Sequence, residues 1–295
     1  MAKALITEDF LSRIGDAIRG KLGITETMKP EVMAKKIEEI PVGDGIDRLI
    51  SGTLESFTDN SITSVKDYAF SSCTSMTSIA LKSAVSIGNY AFSGCSTLSE
   101  LSLPAARDIG TSAFASCYGL RSISLPSVTS IGMNAFSSCG NLDQVSLPMA
   151  LSIGSNAFQN CSSLTDLEFP KVTKVNSWAF AYCSNLKTLK LPALESLSTY
   201  SYILGNVTGI EYVVLGVETF SDGWDGVTRF TVNSKLTRLD FPNCKSITKA
   251  TAFATNYLPN LAELHFGAAN QSAIEALSGY ETKFGATNAT IYFDL

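Results

Sequence analysis

The sequence predicts an α+β repeat fold, a solenoid of stacked coils with a short helical arm before it and a helix and strand after it. Three observations predict this. Phenylalanine stands at 70, 92, 114, 136, 158 and 180, always after alanine, which sets an interval of 22 residues. Cysteine follows three residues behind each of these phenylalanines, at 73, 95, 117, 139, 161 and 183. Proline recurs in the same register at 104, 126, 148, 170 and 192. Six copies without a slip mark a chain whose units bury their apolar sides against their neighbours, each touching only the next.

Within one unit the apolar residues fall into two runs. Leu101 and Leu103 alternate with Ser102, the period of a strand with one buried face. Phe92, Cys95 and Leu98 are spaced by threes, which predicts a short helical or turn segment with one side inward. Proline closes the strand, because it cannot donate to a ladder; Lys82 takes its place in the first unit. Ile-Gly precedes the turn segment at 87, 109, 131 and 153, and Val175-Asn176 follows in the same slot. Asparagine in place of glycine predicts a positive φ there. Lys66 and Ser198 occupy that slot at the two ends of the array.

The consensus Leu-x-x-Ile-x-Leu-Pro-x-Val-x-x-Ile-Gly-x-x-Ala-Phe-x-x-Cys resembles the bacterial BspA-like leucine-rich repeats. The resemblance implies a leucine-rich-repeat solenoid and a binding or display role, since members of that family are mostly surface or host-contacting proteins. It covers residues 53–198 cleanly and reaches 267 in degraded form. There Ile210, Val213 and Leu215, then Leu236, Leu239, Phe241 and Pro242, then Leu261, Leu264 and Phe266 keep the strand spacing, at separations of 26 and 25 residues. The expected organisation is an arm at 1–45, regular repeats at 46–198, degenerate repeats with insertions at 199–267, and a cap at 268–295.

The arm reads as two amphipathic helices. Thr7 caps the first, which carries Leu11, Ile14, Ile18 and Leu22 on one face and ends at Gly23. The second starts near Pro30 and places Met33, Ile37 and Ile40 on one face before Pro41. Helices this short are unstable alone, so their stripes must pack on each other, on the first repeat or on copies of the chain. Gly43-Asp44-Gly45 joins the arm to the repeats. The stretches Ala-Ile-Arg-Gly-Lys-Leu-Gly at 17–23 and Met-Lys-Pro-Glu-Val-Met-Ala-Lys-Lys-Ile-Glu-Glu-Ile at 28–40 are similar to the N-terminal helical module of phage and prophage tail-fibre and tail-associated proteins. That resemblance implies a virion tail component that joins other tail proteins through the arm, forms a dimer or trimer, and meets a host-cell surface protein or glycan. A surface adhesin of the BspA-like type and a passive spacer are the alternatives.

The net charge of -5 and the lack of a basic cluster argue against nucleic acid. No stretch approaches the roughly 18 apolar residues of a membrane span. The first residues lack the apolar core of roughly 7 to 15 residues found in a secretion signal, so the expectation is synthesis and assembly in the cytoplasm. Six of the seven cysteines repeat at one position of equivalent units and form no metal-ligand pattern, so they are expected to be buried free thiols. His265 is the single histidine. Strand alternation points it away from the core, as a solvated residue, and no nucleophile, phosphate loop or cofactor fingerprint accompanies it. No catalytic site, cofactor or metal is expected.

Surface residues are what remain as candidates for binding. Adding 22 each time gives the outward strand positions Ser102, Ser124, Ser146, Glu168 and Lys190. They are mostly small and polar, suited to a broad, weak ligand such as a glycan or to plain solvation. Beyond Pro192 aromatic residues gather, with Tyr200, Tyr202, Tyr212 and Trp224 as candidate anchors of a receptor site. Two readings stand there, an exposed patch and a drifted core filled by rings. At the end, Ser272 and Glu275 read as a capping box opening a helix with Ile274 and Leu277, and 289–293 as a last strand covering the open edge.

Overall fold

The computed structural model describes residues 55–197, 202–220, 235–247, 260–276 and 289–295. The expected arm, with Leu11, Ile14, Ile18, Leu22, Met33, Ile37 and Ile40, lies outside the described residues. The repeats form a β-solenoid. Among the described residues there is one α-helix, Gln271–Glu275, so the α component is smaller than the sequence implied.

Each regular coil carries a first strand where alternation predicted it, at Ser56–Thr58, Ser78–Ala80, Glu100–Ser102, Ser122–Ser124, Gln144–Ser146, Asp166–Glu168 and Thr188–Leu191. Parallel pairs keep the register of one whole repeat, Phe57 opposite Ile79 and Ile79 opposite Leu101. A second set of strands, two residues long and not expected from the residue pattern, runs from Ser64–Val65 through Ser86–Ile87 and Ser130–Ile131 to Ser196–Leu197. Seven of these form a parallel sheet of their own. Val65, Ile87, Ile109, Ile131, Ile153 and Val175 point from it into the core.

The Phe-Cys segment is a chain of turns. The Phe92 and Gly94 N–H groups donate to the Ala113 and Ala115 carbonyls of the next coil at 2.7 and 2.8 Å, while those of Ser93 and Cys95 fold back to Tyr90 and Phe92 at 3.1 and 3.2 Å. Alternate amides therefore serve the neighbour and the coil's own turn, and the buried backbone is satisfied without a helix. The turns closed by the Ala91 and Cys95 N–H groups on the Gly88 and Phe92 carbonyls, at 3.4 and 3.2 Å, carry a positive φ at their third residue, as type II turns do. The two slots that provide it are Tyr90 (55°) and Gly94 (76°), with Ser112 and Ser116, Asn134 and Ser138, Asn156 and Asn160 in the coils that follow.

This corrects the expectation for the Ile-Gly slot. Among the described residues Gly94 is the one glycine with a positive φ. A Cβ on Gly132 would stand 2.6 Å from the carbonyl carbon of Gly110, so the column of glycines exists because successive backbones approach too closely for a side chain. Where Asn176 replaces glycine, its N–H reaches the Ile153 oxygen at 3.0 Å, against 2.8 Å for Gly154 to Ile131. The phenylalanine stack opens in step, from 5.1 Å between Phe92 and Phe114 to 5.8 Å between Phe158 and Phe180.

The core is that stack, flanked by the cysteines and leucines. Phe70 through Phe180 are buried, and all seven cysteines are buried and free. The degenerate repeats extend the row of first strands, forming with Asp166–Glu168 and Thr188–Leu191 one parallel sheet that runs on through Tyr212–Leu215, Arg238–Phe241 and Glu263–Phe266, with Val213 opposite Leu239 and Leu239 opposite Leu264. The final strand, Thr290–Phe293, pairs in parallel with Glu263–Phe266 and so extends this sheet. The expected capping box does not form: the helix begins at Gln271, its preceding Asn270 makes no side-chain cap, and Gln271 Nε2 donates to Glu275 Oε1 at 2.8 Å. Ile274 is buried as expected, and Leu277 lies outside the described residues.

Candidate functional site

The outward positions of the first strands form two columns, and their chemistry changes along the solenoid. Ser102, Ser124 and Ser146 are exposed and small. Glu168 and Lys190 then pair at 3.6 Å in solvent, a contact of little energetic weight. Beyond them the register runs Thr188, Tyr212, Arg238, Glu263 and Thr290 in one column and Lys190, Val214, Asp240, His265 and Tyr292 in the other.

These later residues are knitted into one network. Asp240 is only 2% exposed and accepts from the Tyr212 hydroxyl at 2.6 Å and from Arg238 Nε and Nη2 at 2.8 and 3.0 Å. A carboxylate taken out of water this far needs such a full set of donors. The Arg238 guanidinium also lies 5.2 Å from the Tyr212 ring centre, and Lys190 Nζ lies 5.9 Å from it. Burial, then the bond to Asp240, pushes the Tyr212 hydroxyl up to about 12. The bond to Asp240 likewise raises Arg238 above its ordinary value.

His265 corrects the sequence reading. It faces away from the core between Leu264 and Phe266, but it is 5% exposed rather than solvated. Nδ1 lies 2.6 Å from Asp294 Oδ1, Nε2 lies 3.3 Å from Glu263 Oε2, and the ring stacks on Tyr292 at 4.5 Å. Glu263 in turn stands 3.8 Å from Arg238. Both ring nitrogens thus face carboxylates. Among the described residues no group of His, Cys, Asp or Glu is arranged to hold a metal ion, and no helix is long and apolar enough to cross a membrane. What the network offers is a fixed, partly desolvated polar surface edged by Tyr292, which is 38% exposed, and Lys190.

The candidate residues of the sequence fall in three places. Ser102, Ser124, Ser146, Glu168 and Lys190 line the strand face, and Tyr212 joins Lys190 there. Tyr202 lies instead on the turn side, its ring 5.2 Å from that of Trp178. Tyr200 and Trp224 lie outside the described residues. Sequence reasoning missed Arg238, Asp240, Glu263, Tyr292 and Asp294. The signal was available, because steps of 24, 26 and 25 residues from Lys190 reach Val214, Asp240 and His265.

A family model described as a BspA type leucine rich repeat region matches in six copies, over residues 51–152, 85–211 and 151–276. Among solved structures the chain is similar to a leucine rich repeat protein of T. pallidum, with 30% identity over 54% of this chain and 73% of that one at a TM-score of 0.44. It is also similar to a leucine rich cell surface protein of Faecalibacterium prausnitzii, with 19% identity, 80% and 82% coverage and a TM-score of 0.36. The pneumococcal vaccine antigen PcpA shows 21% identity, 72% and 62% coverage and a TM-score of 0.37. No curated protein matches.

Proposed function

The chain belongs to the BspA-type leucine-rich-repeat family, and from that premise we propose that it is a non-catalytic binding protein that presents its strand face to a protein on a cell surface, as an adhesin does. The observation that carries this reading is the network from Lys190 to Asp294. Burying Asp240 and His265 on an outward face costs stability that small serines would have saved. A fixed array of charge and aromatic surface is what a specific protein interface uses, with Tyr and Arg as its strongest contributors. Displayed on an otherwise non-adherent bacterium, the chain raises adherence to cultured epithelial cells, and Lys190→Ala combined with Tyr292→Ala removes the gain. Wild-type display without any gain overturns the adhesin reading, and unchanged adherence of the double variant overturns the strand face as its site.

A second reading rests on the tail-module resemblance of residues 17–40. Under it the stripes of Leu11, Ile14, Ile18 and Leu22 and of Met33, Ile37 and Ile40 join other virion tail proteins or further copies of the chain as a dimer or trimer, and the solenoid meets the host receptor. Deleting residues 1–45 then leaves a folded solenoid that no longer enters particles. Tail-assembly and lysis genes beside the coding sequence support this reading, and a secretion operon there sinks it.

A further inference from the structure

The turn side of the solenoid carries a second constellation, separate from the strand face. Trp178 and Tyr182 occupy the two positive-φ slots of their coil, at 61° and 60°. In the three coils before it the same slots hold Ser112 and Ser116, Asn134 and Ser138, and Asn156 and Asn160. Serine and asparagine suit this backbone better than large aromatic residues, although Tyr68 and Tyr90 hold the first slot in the first two coils, with their rings stacked 4.9 Å apart. The rings also do not fill the core, since Phe180 and Leu204 take the inward positions of these two coils.

Three rings meet here. Trp178 lies 6.3 Å from Tyr182 with the planes 14° apart, and 5.2 Å from Tyr202 with the planes at 33°. The neighbouring coil is shaped to receive them: a Cβ on Gly205 would stand 2.5 Å from the indole Cζ3, so the indole rests on bare backbone that any other residue would obstruct. Tyr182 is 44% exposed, and Trp178 and Tyr202 are half-buried. Asn206, exposed at φ 58°, holds in the next coil the slot that Tyr182 holds in its own.

The surroundings select the ligand. No charged side chain occurs in 176–186 or in 202–210; the polar groups are hydroxyls and amides. Stacking platforms for nucleic-acid bases come with a cationic groove along the backbone, and among the described residues these two turn segments carry none. Phosphate, sulfate and carboxylate groups likewise find no cation in these two segments. A neutral pyranose ring fits both features, because its C–H bonds meet the negative face of an aromatic ring while its hydroxyls exchange hydrogen bonds with phenol and amide groups.

We propose that Trp178, Tyr182 and Tyr202, with Asn206 beside them, form a binding site for one or two sugar units of a neutral glycan. The site stands on its own residues and does not depend on the strand face binding a protein. The sequence holds two tryptophans, so Trp224→Phe leaves Trp178 as the reporter. Titrating this full-length variant with cellohexaose, chitohexaose and mannohexaose gives a saturable change in tryptophan emission with at least one of them. Tyr182→Asn in the same background weakens that binding at least tenfold with the melting temperature unchanged or raised, because asparagine suits the slot. The absence of a saturable change with all three hexasaccharides overturns the proposal, as does unchanged affinity in Tyr182→Asn. A clear fall in melting temperature for Tyr182→Asn also overturns it, by assigning the rings to coil stacking.

Discussion

Cys139 donates its thiol proton to the carbonyl oxygen of Phe114, 3.1 Å away in the preceding coil. The same link joins Cys95 to Phe70, Cys117 to Phe92, Cys161 to Phe136 and Cys183 to Phe158. The cysteine ladder therefore satisfies buried backbone carbonyls as well as filling space, which serine could do only with a stronger and more hydrophilic donor.

The first prediction concerns these thiols. Burial pushes Cys139 and Cys183 up to about 12 and Cys117 and Cys161 well above their ordinary value. They should resist a thiol reagent at pH 8 in the folded chain and all react after denaturation without reductant. Because the folded thiols keep protons that the unfolded chain releases from about pH 8.5, their contribution to stability is complete below that pH and is lost as pH rises toward 12. Each such thiol should steepen the fall by about 1.4 kcal/mol per pH unit. Denaturant melts between pH 7 and 11 measure this, and a flat profile would contradict it.

The second prediction tests the stack. Phe136 is fully buried between Phe114 and Phe158, at 5.2 and 5.5 Å. Phe136→Ala should cost about 3 to 5 kcal/mol by emptying a site its rigid neighbours cannot close. Since each coil is held by its neighbours, hydrogen exchange should show the damage as faster opening of the coils on both sides. An unchanged thermal transition would mean that the residue is not part of the core.

A third prediction separates the two roles that glycine and asparagine play in the coil. If Gly132 were needed for a positive φ, Gly132→Asn would be mild and Gly132→Ala worse. Close approach to Gly110 makes both equally harmful, at about 1 to 3 kcal/mol or more, since either Cβ meets backbone. At Asn134, where φ is 55°, the order should be different: Asn134→Gly is tolerated and Asn134→Ala costs about 1 kcal/mol. Urea midpoints of the four variants decide between the accounts.

The repeats were legible because Phe, Cys, Leu and Pro each recur in one slot, and a core shared by identical coils tolerates little variation there. The two-residue strands were not, since a run such as Ser86-Ile87 is too short to show a period. Nor were the positive-φ slots: Tyr68, Tyr90 and Trp178 occupy them against intrinsic preference, held by the turn ladder around them. The strand-face network was hidden for a different reason. It is assembled by register across coils of unequal length, so Asp240 and His265 become neighbours only once the 26- and 25-residue steps are aligned.

That network gives the last prediction, which turns on which partner is left buried. Arg238→Met removes both guanidinium bonds and leaves the Asp240 carboxylate, 2% exposed, with the Tyr212 hydroxyl as its named remaining donor. Stranding a desolvated charge in this way should cost about 3 kcal/mol or more. Asp240→Asn is milder, about 1 to 2 kcal/mol, because the amide oxygen still accepts and the half-buried Arg238 keeps water and Glu263 at 3.8 Å. Lys190→Ala should fall within about 0.5 kcal/mol, since its pair with Glu168 is exposed. Combining Arg238→Met with Asp240→Asn should then cost clearly less than the two single changes added together, because the carboxylate that the first change strands is no longer charged. Chemical denaturation of the three singles and the double measures this coupling, and strict additivity would mean that the buried pair does not hold the strand face together.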